Sequence, residues 1–190
     1  MADFRVPSIP SLRRFADDRS ATAAIEFALI LPFLVLLMFG FIDLTDGVNA
    51  RRKVTLSAST VSDLVARVKD VDNGYANSVL SAGSAILAPL DTAGLQIVVS
   101  SIVTDAKGQS TVAWSIGQHV APRAKGSSYL LPDALRPATG KTGALVMAEV
   151  AYTYKPLLSS EIMSDVRMTE VTFAQPRVAQ SGVTCSASLC

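Results

Sequence analysis

One carboxylate stands where a carboxylate is rarely tolerated. Glu26 lies near the front of Ala21–Ile42, ATAAIEFALILPFLVLLMFGFI, which is otherwise almost wholly apolar. An acid among apolar side chains is costly unless it is paired or protonated. Its chemistry there is pairing with a cation or polar group, and an α-amino group freed by cleavage just upstream would supply one. Two thiols end the chain, in Cys185-Ser-Ala-Ser-Leu-Cys190. An oxidising compartment lets them close a small disulfide loop; a reducing one leaves two free thiols on a terminal tail. Other groups offer less. His119 is the sole histidine and has no cue for a base-and-nucleophile pair, so it reads as a surface residue. Asp63, Asp70 and Asp72 lack EF-hand spacing and read as a solvated helix end. Trp114 reads as packing on a hairpin face. One His and two Cys are too few for a protein-built metal centre, and no Gly-rich phosphate loop follows a strand. These residues make no positive case for an enzyme, a cofactor or a metal.

The element that must carry Glu26 is a membrane-length helix. The 22 residues from Ala21 to Ile42 would span roughly 33 Å at about 1.5 Å per residue, enough to cross a bilayer core. The unbroken apolar part, Phe27–Ile42, leaves Glu26 near the interface. Pro32 removes one backbone donor and is a place to bend, and Gly40 lets another helix approach closely. A secretory signal with cleavage near Val48-Asn49-Ala50 fits poorly, because that site lies past the apolar run behind Asp43 and Asp46. A buried soluble helix fits worse, since so small a chain cannot hide so much apolar surface. The favoured reading is a retained single-pass anchor. Arg5, Arg13, Arg14 and Arg19 precede it, while Arg51, Arg52 and Lys53 stand further off behind it. That asymmetry and the terminal thiols both lean toward a cytoplasmic N-terminus with the C-terminal residues outside. Net charge is +1, so no nucleic-acid partner is implied.

The helix pattern continues beyond the anchor. Val54, Ala58, Val61, Val65 and Val68 recur at spacings of four, three, four and three, one stripe on an amphipathic helix. One helix is expected from about Thr22 to Val68, Gly47 notwithstanding; the alternative is two helices broken near Asp46-Gly47. Behind it, Asp70–Gly74 reads as a turn and Tyr75–Leu87 as a helix burying Leu80, Ile86 and Leu87. Gln96–Thr104 and Thr111–Ile116 read as a hairpin about the Asp105–Gly108 turn. The stretch 117–142 reads as a loop with a short helical turn at Pro132–Leu135. Ala144–Tyr154 and Arg167–Phe173 read as later strands. The expected fold class is α+β: a long N-terminal helix, transmembrane then amphipathic, packed on a small antiparallel sheet. The division is residues 1–21 as a leader or tail, 22–42 as the transmembrane helix, 43–69 as its amphipathic continuation and 70–190 as an outer α+β domain.

The run Asp18-Arg19-Ser20-Ala21-Thr22-Ala23-Ala24-Ile25-Glu26-Phe27-Ala28-Leu29, then Leu31-Pro32 and Gly40, resembles the TadE-like family. These are small pilin-like proteins of the tight-adherence (Tad, or Flp pilus) machinery. Arg51-Arg52-Lys53 and Ala58–Arg67 resemble the usual continuation, Tyr152–Leu157 a later strand with Pro-Leu, and Pro176-Arg177 a late Pro-Arg pair. The strong likeness covers about Asp18 to Arg67. It implies a pilin-like fold, a prepilin peptidase that cuts after a Gly, and a glutamate left as the fifth mature residue. Counting back from Glu26 places the cut after Ala21 and the new N-terminus at Thr22. Ala21 stands where the family has Gly, so an uncut anchored form is the alternative. Glu26 and Phe27 would then pair helices, with Pro32 and Gly40 shaping the packing. The implied protein is a bitopic minor pilin or pseudopilin in the bacterial inner membrane with a periplasmic domain. Its partners would be the membrane, other pilin-like subunits and Tad assembly proteins. The alternative from another class is an anchored periplasmic binding or sensor module in which Glu26 is incidental.

Overall fold

The structure is a computed structural model that describes residues 19–156, 164–178, 181–188 and 190, with residues 19–21 described by backbone alone. Residues 1–18 of the expected leader, with Arg5, Arg13 and Arg14, lie outside the described residues, as does Leu157. The chain divides into two compact units, Met1–Leu44 and Thr45–Cys190.

Helix α1 is a single element, Arg19–Ala66, that passes through Pro32 and through Gly47. In the second unit its expected stripe is the core: Val54, Ala58, Val61 and Val65 are fully buried. Val68 is only half-buried because the helix stops two residues earlier. The Arg67 and Val68 amides bond back to Leu64 and Val65, tightening the last turn, and the Arg177 amide donates to the orphan Ala66 carbonyl at 2.8 Å.

The expected turn at 70–74 is instead a short strand followed by a cap. Strand β1 is Asp70–Val71 and pairs in parallel with β6, Thr184–Cys185. Asp72 is the N-cap of α2, Asn73–Ile86, accepting from the Tyr75 amide at 2.7 Å. The cap satisfies a donor of the first turn, so the helix begins two residues before the expected start. Leu80 and Leu87 are buried as expected, while Ile86 is half-buried.

The remaining strands are β2 (Leu95–Thr104), β3 (Ser110–Gln118), β4 (Gly143–Tyr154) and β5 (Val166–Ala174). They form one antiparallel sheet in the order β3-β2-β4-β5. Asp105 shapes the β2–β3 turn by accepting from the Lys107 and Gln109 amides, and Gly108 takes the left-handed conformation there. Period-two alternation sorts the strands onto two faces. Leu95, Ile97 and Val99, with Val146, Ala148 and Val150, join the core that holds α1 and α2. Ile102, Val112, Leu145 and Met147 point the other way and gather a second cluster around Leu131.

The second cluster adds packing to the expected loop 117–142, whose short helical turn is where the sequence placed it. Tyr129 and Leu135 pack against the cluster, and a short 3-10 turn, Asp133–Leu135, holds Leu135 in place. Arg123 clamps the segment to the sheet through Glu149, at 2.6 and 2.7 Å, while its guanidinium lies 5.1 Å from the Tyr129 ring centroid. The Glu149 hydrogen bonds raise the Arg123 pKa above its ordinary value. The fold is therefore the expected α+β layout, a long helix with a small antiparallel sheet.

Candidate functional site

Every residue from Thr22 to Ile42 is exposed. These include Phe27, Phe33 and Phe41, each about three-fifths exposed or more. So long an apolar surface is unstable in water and calls for lipid or another protein. Among the described residues α1 is the one helix long and apolar enough to cross a membrane.

Five sequence-selected residues lie along this segment, Thr22 at its exposed front among them. Glu26 is exposed on the helix, with Phe27 beside it. α1 is described from Arg19 onward, so Glu26 lies beyond its first described turn, which holds no acid. The uncut helix therefore gives Glu26 little benefit from the macrodipole, which acts within about one turn. In a helix starting at Thr22 it would be the fifth residue, four from the new amine and one turn along on the same face. Pro32 lies inside α1 without breaking it; lacking an N–H, it leaves the Ala28 carbonyl without its usual donor. Gly40 sits within one helical face, Phe33, Leu36, Leu37, Gly40, Phe41 and Leu44, which forms an open apolar groove. A Cβ at Gly40 would meet nothing within 4 Å. Among the described residues no packing therefore requires a glycine there.

The second unit carries no comparable constellation. His119 is exposed, and its Nδ1 lies 3.0 Å from the Leu95 carbonyl oxygen. Among the described residues no group of three or more His, Cys, Asp or Glu side chains is placed to hold a metal ion. Trp114 is buried on the β2–β3 hairpin, and its Nε1–H donates to the Val183 carbonyl at 2.6 Å. Cys185 and Cys190 are disulfide-bonded.

Asp63, which the sequence suggested was merely solvated, joins two distant segments. Arg67, one residue past the end of α1, binds it at 2.9 Å through Nε, and Arg177 binds its other oxygen. The Arg67 hydrogen bond, with the charges of Arg177 and Arg67, holds the Asp63 carboxyl below its ordinary 3.8. The Ser186 and Thr184 hydroxyls do the same for Asp70. Both pKa values are lower folded than unfolded. The stabilisation is therefore fully present above the ordinary carboxylate value and is lost as pH falls through the lower folded values. Thermal melts in detergent should show the wild-type midpoint dropping below about pH 4. The Asp63→Asn/Asp70→Asn double variant should start lower at pH 7 and change less on acidification. Parallel pH curves for the two proteins would show that these carboxylates contribute nothing.

Residues 21–62 match the family model of the TadE-like protein. No curated protein and no solved structure matches the chain. The TadE-like segment contains Glu26, Pro32, Gly40 and the Arg51–Lys53 cluster. It takes in the exposed apolar run and most of the buried stripe of α1 and stops short of the sheet.

The structure assigns fixed work to the basic cluster just behind the apolar run. Arg51 donates to the Thr169 carbonyl at 3.0 Å and to Glu170 at 2.9 Å, fastening α1 to β5. Lys53 donates to the Leu87 and Ala88 carbonyls at the C-terminal end of α2, where a cation also suits the helix dipole. Sequence reasoning weighed these cations as topology signals and as part of the TadE-like likeness, and it missed these bonds because the partners lie far along the chain.

Proposed function

We propose that this protein is a bitopic, pilin-like component of a Tad/Flp pilus assembly system, a minor pilin or pseudopilin. The observation that carries the reading is the TadE-like match at residues 21–62, lying on a helix whose apolar front is exposed throughout. In this reading α1 anchors the chain in the bacterial inner membrane as a single pass. The N-terminal residues face the cytoplasm and the α+β domain faces the periplasm. The work is structural, without catalysis or cofactor. The apolar front packs with helices of other pilin-like subunits, and the outer domain docks on Tad assembly proteins. No nucleic acid takes part.

Processing gives Glu26 its partner. A prepilin peptidase would cut between Ala21 and Thr22, and the freed amine of this chain or of a neighbour would neutralise the carboxylate in the membrane. A paired acid is tolerated there, whereas an isolated one is not. Ala21 adds a methyl group where the family has Gly, so the cut is the step to test. Intact mass and N-terminal sequencing of the protein from its native membrane should give a start at Thr22. A retained Met1 or Ala2 would remove the amine and leave a permanently membrane-bound accessory subunit. A start at Arg51 would overturn the anchor itself.

A further inference from the structure

The C-terminal tail lies across the connection between α1 and α2. The Thr184 amide donates to the Lys69 carbonyl at 2.9 Å, and the Ser186 and Ala187 amides share the Val71 carbonyl at 3.1 Å each. The Ser188 amide reaches Asn73 Oδ1 at 2.9 Å. The Thr184 and Ser186 hydroxyls donate to the Asp70 carboxylate. Val183 and Ala187 are buried in the main core, and the Val183 carbonyl accepts from Trp114 Nε1.

These contacts are individually weak. The β1–β6 ladder has two paired positions, too few to hold a strand by itself. Among the described residues of the tail, two small apolar side chains are buried in that core, with the two cysteines packed at its edge. Ordering a terminal segment costs conformational entropy that such contacts barely offset. The Cys185–Cys190 bond changes that balance, because it closes a ring over the docking residues and removes freedom from the undocked tail. Within the ring the Cys190 amide bonds to the Ala187 carbonyl. Both cysteines are only half-buried, so a small thiol can reach them. Neither lies in the four-stranded sheet.

We propose that Cys185–Cys190 is a redox latch for this strap. Oxidised, it keeps the tail on β1 and seals Trp114. A dithiol opens it by thiol–disulfide exchange: one thiolate attacks a cysteine sulfur, the second displaces the mixed disulfide, and the dithiol leaves oxidised. The two cysteines gain two electrons and two protons. The tail then leaves β1, uncovering Trp114 and Val71, while the sheet stays folded. The latch sets only when the tail has reached an oxidising compartment. This inference stands whether or not the protein serves a pilus.

Trp114 is the only tryptophan in the chain, so its emission reports the strap directly. The test uses the full chain in detergent micelles before and after dithiothreitol, with alkylation and mass confirming two free thiols. The expected result is red-shifted Trp114 emission and about 30-fold faster hydrogen exchange at the Thr184 and Ala187 amides, the size of a typical small-loop disulfide effect. Exchange in β2 and β4 should not change. A Cys185→Ser/Cys190→Ser double variant should reproduce the reduced state; if it does not fold, reduction of the folded wild type decides. Unchanged emission and exchange with both thiols free would overturn the latch. So would acceleration of β2 and β4 together with the tail, because the bond would then support the whole domain.

Discussion

Glu26→Ala is expected to weaken the proposed association of this protein with other pilin-like subunits at least about tenfold while leaving it in the membrane. The variant removes the one carboxylate of an exposed apolar helix surface, so insertion becomes easier, not harder. In the proposed pairing, what it removes is a charge-assisted hydrogen bond, a contact of about 1.5–3 kcal/mol. That corresponds to roughly 10- to 100-fold weaker pairing per contact, repeated at each subunit that uses it. Carbonate extraction should recover the variant in the membrane fraction at the wild-type level. Chemical cross-linking to neighbouring pilin-like subunits should fall at least about tenfold on the same scale. Glu26→Gln keeps a hydrogen-bonding group without the charge and should fall between the two. Wild-type cross-linking in Glu26→Ala would show that the carboxylate is not a pairing group.

Gly83→Val is expected to unfold the second unit at a much lower temperature, whereas the same change at Gly40 should leave that unit untouched. A Cβ at Gly83 would lie 2.8 Å from both Ile97 Cδ1 and Val61 Cγ2, and 3.2 Å from Ser57 Oγ. Ser57 is itself buried and donates to the Gly83 carbonyl at 2.9 Å. The two helices meet there closely, with Gly83 of α2 against Ser57 and Val61 of α1. A branched side chain has nowhere to go, since close-packed cores transmit such a clash instead of absorbing it. Overpacking of this kind costs about 3 kcal/mol, or roughly 10 °C of melting temperature for a unit of this size. A Cβ at Gly40 would meet nothing within 4 Å, so Gly40→Val should melt like the wild type and differ only in association through the exposed helix face. A Gly83→Val midpoint within about 2 °C of the wild type, less than 1 kcal/mol by the same scaling, would show that the helices can part at little cost.

The two glycines mark where reading the chain stops working. Gly40 sits in a recognisable apolar run and drew attention from its surroundings. Gly83 sits in an ordinary helical segment, and nothing beside it in sequence announces Val61 or Ile97. The basic cluster behaves in the same way. Arg51-Arg52-Lys53 is conspicuous as a run of charge, but its bonds to Glu170, Leu87 and Ala88 involve residues 34 to 119 positions away.

By itself the sequence determined the features that repeat over a few residues. The apolar run of α1, its Val54–Val65 stripe, the β-branched strands β2 and β4 and the Asp105–Gly108 turn all follow from local periodicity, steric preference and hydropathy. The TadE-like likeness of residues 21–62 was legible for the same reason, being a contiguous run of residue types. Only the tertiary structure decided the pairing of Asp70–Val71 with Thr184–Cys185, the Asp63–Arg177 ion pair, the Trp114–Val183 hydrogen bond and the Leu131 cluster on the second face of the sheet. A two-residue strand is too short to show alternation, and one buried leucine in a Pro- and Gly-rich segment has no period. Partners such as Val71 and Cys185, 114 residues apart, meet because the folded chain has already brought their backbones together. That closure depends on the whole core, and no window of neighbouring residues contains it.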